Sequence, residues 1–177
     1  MRNAECGVST KKTMRVVSFV AASSNSGKTT LIEKVVRILK GRGLRVAVIK
    51  HASGGFDLDR PGKDSWRFQE AGADAVILAG PDRIALMRKA AHVPALEELV
   101  HLAGDVDIII TEGFKQNTEN KVEVFRSGVS GDRPLSLDDR SFIALASDIP
   151  FEVPVPFFDL NDAAGVADFI AVRMQKG

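Results

Sequence analysis

Apolar positions in this chain alternate between near-continuous runs and helical stripes. A valine-rich run beginning at Val16 and too short for a membrane span gives way to the small polar residues Ser23-Ser24-Asn25-Ser26, then to Gly27-Lys28-Thr29-Thr30. Leu31, Val35 and Leu39 follow at i, i+4 and i+8, with Ile32 and Val36 beside them, so a helix with one apolar stripe starts directly after the polar loop and stops at Gly41-Arg42-Gly43. Leu44 to Lys50 reads as a second strand, and a strand, helix and strand of this length imply a right-handed parallel crossover.

Further along, Pro61-Gly62 breaks the chain before a short helix over about 64–71. Residues 75–79 and 84–88 read as two strands joined through Gly80-Pro81-Asp82, a turn with hairpin chemistry. A helix opens at Pro94 and turns Leu96, Leu99 and Val100 inward, and a buried strand over 106–111 ends at Glu112-Gly113. Val122 and Val124 alternate with the charged neighbours Lys121 and Glu123, the pattern of a half-exposed edge strand. The turn-rich stretch 128–140 precedes a buried strand at 142–146. Residues 149–158 carry three prolines and read as a surface wrap, and a closing helix from Asp162 to about Gln175 aligns Val166, Phe169, Ile170 and Met174.

Strands and helices thus alternate without repeats. The pattern predicts an α/β fold, a three-layer P-loop nucleotide-binding domain over 14–177 with a mainly parallel sheet and an antiparallel edge hairpin, and a disordered tail over 1–13. Met14 is an alternative start. The length suits one domain with a substantial core, and 45% hydrophobic with 27% charged residues is an ordinary soluble composition. A net charge of +1, with no more than two basic residues adjacent, provides no footprint for nucleic acid or a membrane surface. The single cysteine, Cys6, cannot form an internal disulfide, which points to a cytoplasmic location.

The loop after the first strand has the residue types that phosphate binding requires. Ser24, Asn25 and Ser26 are small enough for backbone N–H groups to turn inward on an anion, and Gly27 lets the backbone approach closely. The helix that starts at Lys28, Thr29 and Thr30 adds unpaired N–H groups and its positive end. Lys28 supplies a mobile charge for β- and γ-phosphates, and Thr29 a hydroxyl for Mg²⁺. Ala22 stands where the strict motif has its first glycine.

Three carboxylates are candidates beside that loop. Glu112, at the tip of a buried strand, is placed to hold Mg²⁺ or orient water, the alternative being a solvated loop residue. Asp59, with Asp57, lies in a segment that is equally a switch-like element or a plain turn. Asp148, at the end of a late strand, is placed to accept from guanine N1–H and N2–H, although the Asn-Lys-x-Asp motif is absent. Asp107 sits at the far end of the Glu112 strand and reads as structural. His51 reads as a strand-end residue and Trp66 as packing, and no Cys/His cluster suggests zinc.

With these segments in view, the chain resembles the molybdopterin-guanine dinucleotide biosynthesis adaptor family, MobB. The likeness spans Val16 to Met174 and rests on Ser-x-Ser-Gly-Lys-Thr-Thr-Leu at Ser24 to Leu31, Ile49-Lys50-His51, and Asp57-x-Asp59-x-Pro61-Gly62-Lys63-Asp64-Ser65. It continues through Ala71-Gly72-Ala73, Glu112-Gly113-Phe114-Lys115, Val124-Phe125-Arg126, Ala146-Ser147-Asp148-x-Pro150 and Asn161-Asp162. The resemblance implies a GTP- and Mg²⁺-binding homodimer, slow at hydrolysis, that assists the guanylyltransferase attaching GMP to molybdopterin, with molybdopterin itself a further candidate ligand. It favours Glu112, Asp59 and Asp148 as site residues. Ala52-Ser53-Gly54 and Gln116 stand where members often carry further histidines. The competing reading is a small-molecule kinase, which needs an arginine-bearing lid; the candidate is the stretch 126–140, with Arg126, Arg133 and Arg140. A metal-delivering GTPase is a third reading and lacks Cys or His ligands near the loop.

Overall fold

The computed structural model describes residues 15–116 and 119–175, so the expected tail over 1–13 and the alternative start at Met14 lie outside the described residues. In chain order the elements are β1 (Val16–Val20), α1 (Lys28–Gly41), β2 (Val46–Lys50), α2 (Asp64–Glu70), β3 (Ala75–Ala79), β4 (Ile84–Arg88), α3 (Leu96–Leu102), β5 (Ile108–Glu112), β6 (Lys121–Phe125), β7 (Phe142–Ser147), β8 (Phe157–Asp159) and α4 (Ala163–Gln175). They divide into two compact units. One comprises the described residues of Met1–His51 and Leu96–Gly177, the other Ala52–Ala95.

In the larger unit six strands form one parallel sheet in the order β2-β5-β1-β6-β7-β8. β1 is interior and four of its five residues are buried; on one face Val17 and Phe19 pack with Leu31, Val35 and Leu39 of α1 and with Val166 and Ile170 of α4. Each such side chain removed from water contributes about 1.5–3 kcal/mol, which is why the stripe after the polar loop is helical and docked. On the sheet's other face, α3 sets Leu96 and Val100 against Ile109. There Thr111 Oγ1 also donates to Ser18 Oγ at 2.7 Å, which satisfies the two buried hydroxyls between neighbouring strands.

The chain leaves β1 toward β5 and β2 on one side and meets β6, β7 and β8 on the other. The order reverses beside β1, and at such a switch point a parallel sheet opens a crevice past the carboxyl ends of its strands.

The edge-strand reading of Val122 and Val124 is corrected. β6 lies between β1 and β7, and all five of its residues are buried. The alternation misled because its polar residues are buried with partners. Glu123, 1% exposed, accepts the backbone N–H groups of Leu135 and Ser136 at 2.8 Å each, capping a short 3-10 turn at Leu135–Leu137. Lys121 reaches Asp139 at 3.3 Å and lies 5.5 Å from the Phe142 ring centroid. The true edges are β2 and β8, and β8 emerges from the stretch read as a surface wrap.

In the smaller unit β3 and β4 pair antiparallel, Ala75 opposite Arg88 and Ala79 opposite Ile84, as a separate two-stranded sheet. α2 precedes them. No helix among the described residues is long and apolar enough to cross a membrane.

Candidate functional site

The loop between β1 and α1 is built for an anion. Asn25 and Gly27 take left-handed backbone angles, φ 61° and 93°, which turn the chain back on itself before the helix. Gly27 is the residue ahead of α1, and no side chain caps the helix's first turn, so its N–H groups face outward from a 14-residue helix. Ser26 is buried; Ser24, Asn25, Thr29 and Thr30 are exposed around the mouth.

Lys28 Nζ folds back over its own loop, donating to the Ser23 carbonyl at 3.0 Å and to Ser26 Oγ at 3.1 Å. Partial burial lowers its pKa below the ordinary 10.5. Glu112 opposes that shift, and the charges of Lys115 and Lys50 add to it. Glu112 is positioned by register: it pairs with Phe19 of β1 on one side and Lys50 of β2 on the other. Its carboxylate accepts from Thr29 Oγ1 at 2.9 Å through Oε1 and meets Lys50 Nζ at 3.5 Å through Oε2. Gly113, at φ 98°, turns the chain immediately after it, beside Cβ of His51. The His51 ring leans on Phe114 with centroids 5.2 Å apart, and its backbone N–H donates to the Glu112 carbonyl.

Thr29 and Glu112 therefore stand together, two hard oxygen donors of the kind Mg²⁺ takes. Asp59 belongs to the smaller unit, where its carboxylate accepts from Ser65 Oγ and Gln69 Nε2, both at 3.1 Å, and from the Arg60 N–H at 2.9 Å. Asp148 lies just past β7. Its Oδ1 accepts the Ser127 N–H at 2.8 Å and its Oδ2 the Ser127 hydroxyl at 3.0 Å. The Ser127 backbone N–H is the main cause of a carboxyl held below its ordinary range; the Ser127 hydroxyl and the charge of Arg126 act in the same direction. Asp107, at the opposite end of β5, accepts from the Arg45 N–H at 2.8 Å.

Three further basic residues complete the crevice; all lie in segments that carry the family resemblance, and Arg126 is a candidate lid arginine, but the sequence places none of them at the phosphate loop. Lys50 ends β2, Lys115 Nζ donates to the Ala22 carbonyl at 3.0 Å, and the Arg126 guanidinium lies against Gly27. A signal was present. Each follows closely on the carboxyl end of a parallel strand, where ligands of such sheets bind. Within the stretch 126–140, Arg133 pairs with Asp138 and Glu123 holds the backbone at Leu135 and Ser136, so the segment offered as a kinase lid is fastened to the sheet. With Lys28, four cations surround an uncapped helix start, and Glu112 is the carboxylate set among them. Such an arrangement has the charge and the donors that a polyphosphate takes.

Residues 16–148 match the family described as Molybdopterin guanine dinucleotide synthesis protein B, MobB. The chain is 42% identical over 171 residues, 93% of its length and 97% of the relative's, to the molybdopterin-guanine dinucleotide biosynthesis adapter protein of Escherichia coli K12. It is 37% identical over 153 residues, 85% of each chain, to the protein of the same name from Haemophilus influenzae. Among solved structures, one titled as the crystal structure of molybdopterin-guanine biosynthesis protein B superposes with a TM-score of 0.67 at 28% identity, covering 90% of this chain and 99% of that one. Bacillus subtilis MobB, with a TM-score of 0.69 at 24% identity, shares the fold. A phosphate loop at the switch point of a parallel sheet, matched over nearly the whole chain, shows that this protein belongs to the MobB family.

Proposed function

We propose that this chain is a GTP-binding adaptor that assists the guanylyltransferase attaching GMP to molybdopterin, without performing the transfer itself. The observation that carries the reading is the ring of Lys28, Lys50, Lys115 and Arg126 around the uncapped start of α1, in a chain 42% identical to a protein named a molybdopterin-guanine dinucleotide biosynthesis adapter. Mg²⁺ would be held by the Thr29 hydroxyl and by Glu112. Asp59 is the candidate third contact, from a segment that orders around the γ-phosphate. Asp148 is the candidate reader of guanine. Each of its oxygens keeps a lone pair beyond the one used by Ser127.

Turnover is slow in this reading. Glu112 is engaged by Thr29 and Lys50 and is poorly placed to take a proton from water, so hydrolysis falls well below the ~1–100 s⁻¹ of kinases. Small alcohols, sugars and nucleosides do not accelerate it. Rapid phosphate transfer to any of them would favour the kinase reading.

The protein acts as a cytoplasmic homodimer. The β3–β4 sheet supports this by exposing Ile77 and Ile84, 66% and 75% accessible, with Leu78 and Leu86 beside them. Sedimentation at micromolar concentration checks it, and a monomer overturns it.

A pull-down from lysate with and without GTP tests the function. Recovery of a molybdenum cofactor guanylyltransferase, strengthened by GTP, is expected; molybdopterin carried with it would identify a further ligand. Its absence under both conditions overturns the adaptor reading.

A further inference from the structure

Arg126 is the first residue after β6, and the chain turns at once. Its carbonyl accepts the N–H groups of Val129 and Ser130 at 3.1 and 2.9 Å, while its own N–H donates to Ser130 Oγ at 2.9 Å. This turn is fastened from two sides. Asp148 holds Ser127 by backbone and hydroxyl, and Ser23 of the phosphate loop donates its hydroxyl to the Val129 carbonyl at 2.6 Å. The result is a guanidinium laid over Gly27. A Cβ at that glycine would stand 3.2 Å from Nη2, 3.8 Å from Nε and 3.9 Å from Cζ. Gly27 lacks a side chain because of its φ of 93°, and the arginine lies in close contact above it.

The guanidinium acts on Asp148 through its charge alone. Among the described residues it makes no hydrogen bond or ion pair. It rests on the loop that turns through Asn25 and Gly27 into α1, with its fork of donors unspent. An arginine held in place by its backbone, with its donors open, is organised for a ligand that takes two parallel N–H bonds, as phosphate oxygens do.

We propose that Arg126 is a phosphate ligand of this loop: its guanidinium bonds the phosphate oxygens of the bound nucleotide, and Asp148 and Ser23 position it by pinning the turn 126–130. The inference rests on the nucleotide-binding reading and deepens it, turning Arg126 from one charge among four into a direct phosphate contact. It also explains why a P-loop protein would fasten a strand-end turn to its own phosphate loop through Ser23.

Calorimetric titration of pyrophosphate and of GTP into the wild-type protein, Arg126→Lys and Arg126→Gln tests it, with thermal melts of the ligand-free proteins alongside. Affinity for both ligands should fall in the order wild type, Lys, Gln, with Gln at least about tenfold weaker, or about 1.4 kcal/mol. The unliganded melting temperatures should agree. Equal pyrophosphate affinity across the three overturns the role of Arg126. A wild-type protein that binds neither pyrophosphate nor GTP overturns the nucleotide reading itself. Should a variant fail to fold, the side-chain Nε–H resonance of Arg126 in the wild type decides. It should move on adding pyrophosphate, and an unmoved resonance overturns the proposal.

Discussion

Thr29 Oγ1 donates to Glu112 Oε1 at 2.9 Å, joining the first turn of α1 to the tip of β5 across 83 positions of sequence. The contact exists because β1 and β5 are parallel neighbours, with Phe19 opposite Glu112, so the loop leaving β1 must pass the end of β5. A hydroxyl and a carboxylate meet where the phosphates of a nucleotide would end. The site follows from strand order.

Lys28→Ala should abolish useful nucleotide binding and leave the fold intact, since the ammonium neutralises phosphate and contributes no apolar contact to the core. Removing one partner of a desolvated charge pair costs about 2–4 kcal/mol. Calorimetry measures the affinity and a melt checks the fold; wild-type affinity in the variant is incompatible with the phosphate-loop assignment.

Binding should also be coupled to protons through the same residue. Burial lowers the Lys28 pKa from 10.5, so in the alkaline window below 10.5 the folded, ligand-free protein holds fewer protons than the unfolded chain, and stability rises with pH there. Phosphate favours the charged ammonium. Nucleotide binding in that window should therefore take up protons, and affinity should fall as pH rises through the lowered pKa. Titrations in buffers of different ionisation enthalpy read the uptake. Binding without proton exchange in the wild type would contradict the expectation.

Asp148→Asn separates two roles of one carboxylate. As a guanine reader, Asp148 supports a preference for GTP over ATP of at least about tenfold, and the amide erases most of it because one acceptor becomes a donor. As the anchor of Ser127, it acts on phosphate through Arg126, and its loss weakens pyrophosphate and GTP by the same factor. Affinities for GTP, ATP and pyrophosphate measured together distinguish these. Loss of both ligands in equal proportion, with the GTP-to-ATP ratio unchanged, rejects base reading by Asp148.

Glu123→Ala should destabilise the protein by about 2–4 kcal/mol, because the N–H groups of Leu135 and Ser136 lose their acceptors in a buried setting. Glu123→Gln keeps one acceptor oxygen and should cost less. Denaturant unfolding measures both, and a neutral alanine variant would show that the segment over β6 is held by other contacts.

Much of the fold was legible in the chain. Apolar periodicity located β1, α1, β2, β5, β7 and α4, because a strand buried on both faces and a helix with one apolar stripe leave patterns that depend only on local spacing. The phosphate loop was legible for the same reason: Gly27, Lys28 and Thr29 act within one turn of backbone. The tertiary structure alone decided that β6 is interior, since Glu123 and Lys121 look solvated until Leu135, Ser136 and Asp139 are folded over them. It alone brought Lys50, Lys115 and Arg126 to the loop, because their meeting depends on the order of parallel strands, a long-range property that no local spacing encodes.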